Sequence, residues 1–277
     1  MRGLAAGALC LALAAGARAG EPAPGPSDAA PPTAQEVLQA AFDNFYACDT
    51  RAEVELSVRS RGGSERNRVL DVATKQIDGM RRGLARITRP AELRGMSFLM
   101  IENPDRAHDT FVYLPSQRRV RRISTAQKDD AFVGSDLSYE DMERRRPRDY
   151  DAALLPDERV EGEPAFAVEA RPRLHDAYER VVLLVAQADS ALLELRFFKS
   201  GSPESYRVMR MPRSAMHSED GHVLPTRIEV ENRRRGTTTV VTYRDLEVNP
   251  ELEERLFVPS WLERDRDFRP AATPAPR

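Results

Sequence analysis

From Ala52 the chain alternates. Ala52, Val54, Leu56 and Val58 are apolar, and Glu53, Glu55, Ser57 and Arg59 between them are polar. A period of two sends successive side chains to opposite faces, so this stretch is a strand with one buried face. Arg61-Gly62-Gly63-Ser64 follows as a hairpin signal, and the strand around Val69–Ile77 is expected to return antiparallel. Short strands are also expected near Gly83–Thr88, Met96–Glu102, Asp109–Leu114, Ala165–Ala170, Glu179–Val185, Leu192–Phe198, Tyr206–Met211, Val223–Glu231 and Thr237–Asp245. About ten or eleven strands joined mainly by close turns predict an antiparallel meander that curls. A curled sheet of that size encloses more space than its own side chains fill, unless a helix or a ligand enters. Met96–Ile101 and Val181–Val185 are apolar on both faces, so both faces need cover.

Helices are expected at the two ends of this sheet. Thr33 and Glu36 form a capping box, and Val37, Leu38, Ala41, Phe42 and Phe45 recur at helical spacing up to about Asp49. Asn249-Pro250-Glu251 has the form of an N-cap with proline in the first turn, opening a short helix through Leu256. Outside them lie two proline-rich stretches, residues 20–32 and 265–277, which hold eight of the chain's 20 prolines and read as flexible spacers. Met1-Arg2, the apolar run Leu4–Ala15 and Ala17-Arg18-Ala19 make an export signal cleaved after Ala19. The division is therefore a signal over 1–19, a proline-rich segment over 20–32, one domain over 33–264 and a tail over 265–277. Cleavage removes Cys10 and leaves Cys48 alone, so the exported chain has no intramolecular disulfide and must hold together by packing.

The 277 residues are 41% hydrophobic and 31% charged, which suits a packed core and excludes collagen-like, disulfide-scaffold and fully disordered chains. The formal net charge is −2, from 42 basic and 44 acidic residues. A dedicated nucleic-acid binder carries a clear basic excess, so no nucleic-acid partner is expected. Catalytic patterns are missing too. His108, His175, His217 and His222 have no HExxH spacing, Gly134-Ser135-Asp136-Leu137-Ser138 lacks the second glycine of a nucleophile elbow, and no phosphate loop or GxGxxG occurs. The expectation is a protein that is not an enzyme, with no catalytic residue, no metal and no cofactor.

Between Ile123 and Tyr150 the strand pattern lapses. Residues 117–148 carry nine basic and six acidic residues, and so long a break inside a compact domain marks a lid or binding element. A solvated, salt-paired surface loop is the other reading of the same residues. Tyr113-Leu114-Pro115, Arg118-Arg119-Val120-Arg121-Arg122-Ile123, Gly134-Ser135-Asp136 and Ser138-Tyr139-Glu140-Asp141 together resemble the bacterial LolA-like outer-membrane lipoprotein-sorting family, in its larger branch. Leu224-Pro225-Thr226, Gly236-Thr237, Asn249-Pro250 and Leu256-Phe257 are similar to that branch as well. The resemblance covers residues 33–264. It implies a mainly β fold, a strongly bent antiparallel sheet or unclosed β-barrel with flanking helices and a lid over an apolar cavity. It also implies a periplasmic monomer that carries lipid or lipoprotein acyl chains between an inner-membrane transporter and an outer-membrane acceptor. A sensor or docking module for such a transporter, or for an envelope regulator, is the alternative.

Candidate cavity residues are the inward positions Val54, Leu56, Val58, Phe98, Met100, Phe111, Leu183, Phe197, Ile228 and Val241. A one-residue register error would turn any of these strands inside out. Candidate lid, partner or head-group contacts are Tyr113, Arg118, Arg119, Arg121, Arg122, Asp136, Tyr139, Glu140 and Asp141. Arginine suits the task because its planar fork binds carboxylate or phosphate bidentately.

Overall fold

The computed structural model describes residues 30–173, 178–219 and 221–264. The signal, most of the first proline-rich stretch, the tail and His175 lie outside the described residues. The chain divides into a unit ending at Pro31 and a unit beginning at Pro32. Every element below belongs to the second.

Helix α1 (Ala34–Phe45) starts at the expected box: the Glu36 amide donates to Thr33 Oγ1 at 3.3 Å, and Glu36 Oε2 accepts from the Thr33 amide at 2.8 Å. It stops at Tyr46, short of Asp49. Fifteen strands follow: β1 (Thr50–Ser60), β2 (Glu65–Ile77), β3 (Met80–Arg89), β4 (Ser97–Ile101), β5 (Asp109–Leu114), β6 (Arg119–Arg122), β7 (Tyr150–Val160), β8 (Glu163–Pro172), β9 (Arg180–Ala186), β10 (Leu192–Phe198), β11 (Arg207–Arg210), β12 (Met216–Glu219), β13 (His222–Pro225), β14 (Arg227–Asn232) and β15 (Thr237–Val248). Thirteen of them make one antiparallel sheet ordered β6-β5-β4-β3-β2-β1-β15-β14-β11-β10-β9-β8-β7, and β12 with β13 makes a small hairpin. The first and last strands meet in the middle, Thr50 opposite Val248 and Ser60 opposite Thr237. Strands β6 and β7 are the two free edges, so the fold is an unclosed sheet.

The sheet curls. Gly83 and Met100 on β3 and β4 line the same cavity as Leu195 on β10. Strands β4 and β10 are seven steps apart in the order, about 34 Å in a flat sheet at ~4.8 Å per step. Only a strongly bent sheet brings them to one cavity.

The inner face is the one covered by α1 and by residues 123–149, the connection from β6 to β7. Leu38, Phe42, Leu56, Leu70, Phe98, Leu183, Leu195, Phe197 and Val230 pack there. Asn44 fixes α1 in place: its Nδ2 donates to the Val223 carbonyl at 3.3 Å and its Oδ1 accepts from the Val223 amide at 2.8 Å. The outer face of β2–β4 is covered by the last described residues. Ala73, Ile77, Leu84 and Leu99 pack against Leu252, Phe257, Trp261 and Leu262. The Arg86 guanidinium lies 4.6 Å above the Trp261 ring centre and bonds Ser97 Oγ at 2.8 Å.

Three differences from the expected elements have physical causes. The final helix is replaced by the single 3-10 turns Glu254–Leu256 and Pro259–Trp261. Asn249 takes the left-handed conformation at φ 49° and exchanges bonds with Asp49 instead of capping a helix, and Pro259 cannot supply the amide that a longer helix needs. The single expected strand Val223–Glu231 breaks after Pro225 into β13 and β14, because the Thr226 amide turns to the Ala215 carbonyl. Strand β7 carries no alternating pattern in the sequence. It is an edge strand, exposed along most of its length, with Pro156 inside it, so nothing forces alternation on it.

Trp261→Ala is expected to cost on the order of 3–5 kcal/mol, because it uncovers Leu84 and Leu99. Urea unfolding of the purified chain measures this; a change under about 1 kcal/mol would mean that the C-terminal segment is not part of the cooperative unit.

Candidate functional site

The inner face is built by parity. Opposite residues in an antiparallel pair share a face, so Val54 brings Leu70 and Tyr243, and Leu56 brings Val241 and Arg68. Thr74 brings Gly83, and Gly83 brings Met100. Between this surface, α1 and the crossing connection an apolar cavity of about 230 Å³ remains, lined by Phe42, Leu56, Leu70, Met100, Met209 and Val241 among others. That is near the lower end of the ~300–1,000 Å³ typical of small-molecule pockets, room for one slender apolar chain. Gly83 is part of the lining, and a Cβ there would come within 3.3 Å of Met100 Cε.

The crossing connection is tied down over this face. Ala131 and Ser138 form an isolated bridge, and Val133 and Gly134 turn the chain between them at φ 44° and 75°. Phe132 stacks on Phe98 at 4.8 Å between centroids and meets Tyr139 edge-on at 5.7 Å. Asp136 is fully buried. Its carboxylate accepts from Thr237 Oγ1 at 2.5 Å and Thr239 Oγ1 at 2.8 Å, and Arg235 lies 3.3 Å away. Asp141 receives a bidentate grip from Arg207 at 2.6 and 2.9 Å and a further bond from Arg145 at 2.9 Å. Burial alone would raise the Asp141 pKa, but the charges of Arg207 and Arg145 and the Arg207 and Ser138 hydrogen bonds outweigh it and hold it at about 2. Lys128 and Glu143, both buried, pair at 2.7 Å, and Glu143 also accepts from Thr110 at 3.1 Å.

One end of the cavity is polar. Arg81, Glu102, His108, Glu143, Arg144 and Tyr243 line it. Arg144 pairs with Glu102 at 3.5 Å. His108 Nδ1 accepts from the Asn103 amide at 3.0 Å, so its Nε2 carries the hydrogen that faces the Arg144 carbonyl at 3.2 Å. Burial lowers the pKa of Arg81 and raises that of Tyr243. Among the described residues no group of three or more His, Cys, Asp or Glu is placed to hold a metal.

Five of the ten candidate cavity residues, Val54, Leu56, Met100, Ile228 and Val241, line the cavity. Phe98, Leu183 and Phe197 belong to the same core but are packed solid. Val58 is buried on the same face, opposite Thr239. Phe111 is a correction. It packs on the outer face with the Trp261 cluster, because the inward partner of Phe98 is Val112 and the pairing of β5 places Phe111 opposite Leu99.

The lid candidates divide as well. Asp136, Tyr139 and Asp141 lie in the crossing connection, and Glu140 sits half-buried in its Glu140–Met142 turn. Tyr113 packs on the outer face beside Phe111. Arg118 is in the turn before β6, and Arg119, Arg121 and Arg122 are exposed on β6 itself, with Arg122 bonded to Asp109. These four arginines therefore decorate an edge strand and the turn before it, outside the crossing connection. Phe42 and Phe45 of the helical stripe, with Tyr46, and Arg81, Met209 and Tyr243 of the sheet are lining residues outside the candidate cavity set. Arg81 was legible in principle: it is a charge at the inward parity of Gly83 and Ala85.

Comparison with known proteins is consistent with this geometry. A family model described as an uncharacterized protein matches residues 79–264. Among solved structures, a domain assigned to outer membrane lipoprotein sorting from Vibrio parahaemolyticus is similar at 23% identity and TM-score 0.78, over 83% of this chain and 98% of that one. A DUF1329 family protein from Desulfovibrio piger is similar at 26% identity and TM-score 0.76, over 83% and 99%. A LolA superfamily protein from Nitrosomonas europaea is similar at 22% identity and TM-score 0.66, over 82% and 98%. The fold is LolA-like. No curated protein matches the chain.

Asp141 carries a test of the strap. Its pKa is lower folded than unfolded, so the stability it contributes is complete above about pH 4 and is lost as pH falls towards about 2. Hydrogen exchange of residues 128–145 is expected to quicken over that window while β1 and β2 stay protected. Asp141→Asn, which leaves Arg207 and Arg145 without a counter-charge, is expected to cost on the order of 3–5 kcal/mol and to give the quickened exchange at neutral pH. Unchanged exchange in both experiments would contradict the strap.

Proposed function

The chain belongs to the family whose model spans residues 79–264, and from that membership and the LolA-like fold we propose that it is an exported carrier of lipid or lipoprotein acyl chains. In this proposal residues 1–19 are the signal, 33–264 the binding domain, and the site of action the periplasm. The single observation that carries the proposal is the cavity of about 230 Å³ left under the crossing connection. A chain that used this face only for its own packing would fill it. A buried methylene is worth ~0.8 kcal/mol, so a long acyl chain contributes roughly ten before ordering costs. No catalytic step is required: the inner face holds the chain, and the crossing connection moves to admit or release it. Donor and acceptor are an inner-membrane transporter and an outer-membrane site. Arg118, Arg119 and Arg121, exposed on the β6 edge, support the second reading, a docking surface for such a transporter; the two readings are compatible in one molecule.

Gly83→Leu tests the proposal. The added side chain grows into the cavity beside Met100. The wild type is expected to take up a fluorescent fatty acid, and the variant to lose at least about ten-fold in affinity, the order expected when burial of a few methylenes is denied, with a melting temperature within a few degrees of wild type. Failure of the wild type to bind, or equal binding by both, would contradict the proposal.

A further inference from the structure

The polar end of the cavity holds a guanidinium that bonds no carboxylate among the described residues. Arg81 lines the cavity. Its Nη1 donates to the carbonyls of Tyr46 at 2.9 Å and Cys48 at 3.2 Å, and its Nη2 donates to Thr74 Oγ1 at 2.8 Å. A guanidinium has five N–H groups. Three are used, and the Nε hydrogen and one Nη2 hydrogen have no acceptor among the described residues. None of these bonds goes to a carboxylate.

The surrounding charges do not balance. Lys128, Arg144, Arg145 and Arg207 pair with Glu143, Glu102 and Asp141, the last shared by two arginines. Asp49 is near enough for Arg81 to feel, but its carboxylate accepts from the Gln76 amide at 2.7 Å. With Asp49 counted, five cations face four carboxylates. A partly desolvated charge with no carboxylate bonded to it is costly, and Arg81 is half-buried and lines the cavity.

Two further donors converge on the place. The guanidinium carbons of Arg81 and Arg144 lie 5.5 and 5.8 Å from the centre of the same ring, Tyr46. Tyr243, half-buried and within the electrostatic reach of Arg81, also lines the cavity. Its hydroxyl makes no hydrogen bond among the described residues.

We propose that Arg81, Arg144 and Tyr243 form an anion site at the end of the apolar cavity, and that the cargo is an acyl lipid with a carboxylate or phosphate head. This rests on the carrier reading and adds the class of head group. The free N–H groups of Arg81 take two oxygens of the head, Arg144 supplies a second positive charge, Tyr243 Oη donates a third bond, and the acyl chain runs from there along Gly83, Met100 and Leu56.

The test is competition against a neutral fluorescent probe in the purified full chain, with hexadecanoate, hexadecyl phosphate, hexadecanol and inorganic phosphate. The two anionic lipids are expected to compete at least about ten-fold better than hexadecanol, as charge-assisted hydrogen bonds allow. Inorganic phosphate alone is expected to compete far more weakly, because it brings no apolar chain. Arg81→Gln is expected to bring hexadecanoate to within about three-fold of hexadecanol while hexadecanol binding is kept. Tyr243→Phe, which deletes only the free hydroxyl, is expected to narrow the preference by a few-fold and serves if Arg81→Gln does not fold. Equal competition by hexadecanoate and hexadecanol in the wild type overturns the anion site and leaves the carrier standing. An equal loss of both ligands in Arg81→Gln assigns Arg81 to holding the α1–β1 junction and overturns its role at the head. Phosphate that competes as well as hexadecyl phosphate makes this a free-anion site. Binding of no acyl compound overturns both readings.

Discussion

Everything in this fold follows from a sheet whose edges do not meet. Strands β6 and β7 end the sheet on opposite sides, yet they are consecutive in the chain. The connection between them, residues 123–149, must therefore travel from one edge to the other, and it does so across the inner face. In a closed barrel that face would be sealed by neighbouring strands. Here it is sealed by a strap, and a strap without regular hydrogen bonding has to be fastened by side chains.

The fastenings are buried and ionic. Asp136 is held by two threonine hydroxyls of β15, and Asp141 by the fork of Arg207 on β11. Lys128 and Glu143 pair where the strap passes Thr110 of β5. Buried pairs of this kind add little net stability over apolar packing, but losing one partner is expensive. They set the position of the strap more than its strength. The strap lies on the inner face at fixed points, and the apolar space between those points stays open. A hydrophobic strap would have collapsed into that space, as cores do.

The sheet was legible in the sequence because alternation is a local signal. Ala52 to Val58 reads as a strand whatever surrounds it, and the Arg61–Ser64 turn gives its partner. Register was less legible. Phe98 and Met100 lie on the inner face and Phe111 on the outer one, because the pairing of β5 with β4 depends on the Asn103–His108 loop, whose geometry no periodicity reports. The cavity was legible only as an excess of enclosed area. Which inward residues pack solid, such as Phe197 under Arg207 at 4.1 Å, and which leave space, such as Gly83, is decided by contacts across the eight strands from β4 to β10. The cluster of arginines misled for a related reason: Arg118–Arg122 and Arg144–Arg148 look alike as text, yet the first group lies on an exposed edge while Arg144 and Arg145 line the cavity. Asn249 shows the limit of motif reading. The same Asn-Pro that can cap a helix here takes a left-handed turn and ties itself to Asp49.

The central claim is that the space under the strap is kept for cargo. Native mass spectrometry of the protein purified from its own periplasm, with non-covalent contacts preserved, tests it most directly. A population heavier than the polypeptide by the mass of a single acyl lipid, released on denaturation, is expected. Only the bare polypeptide mass, in protein never exposed to detergent, would contradict it.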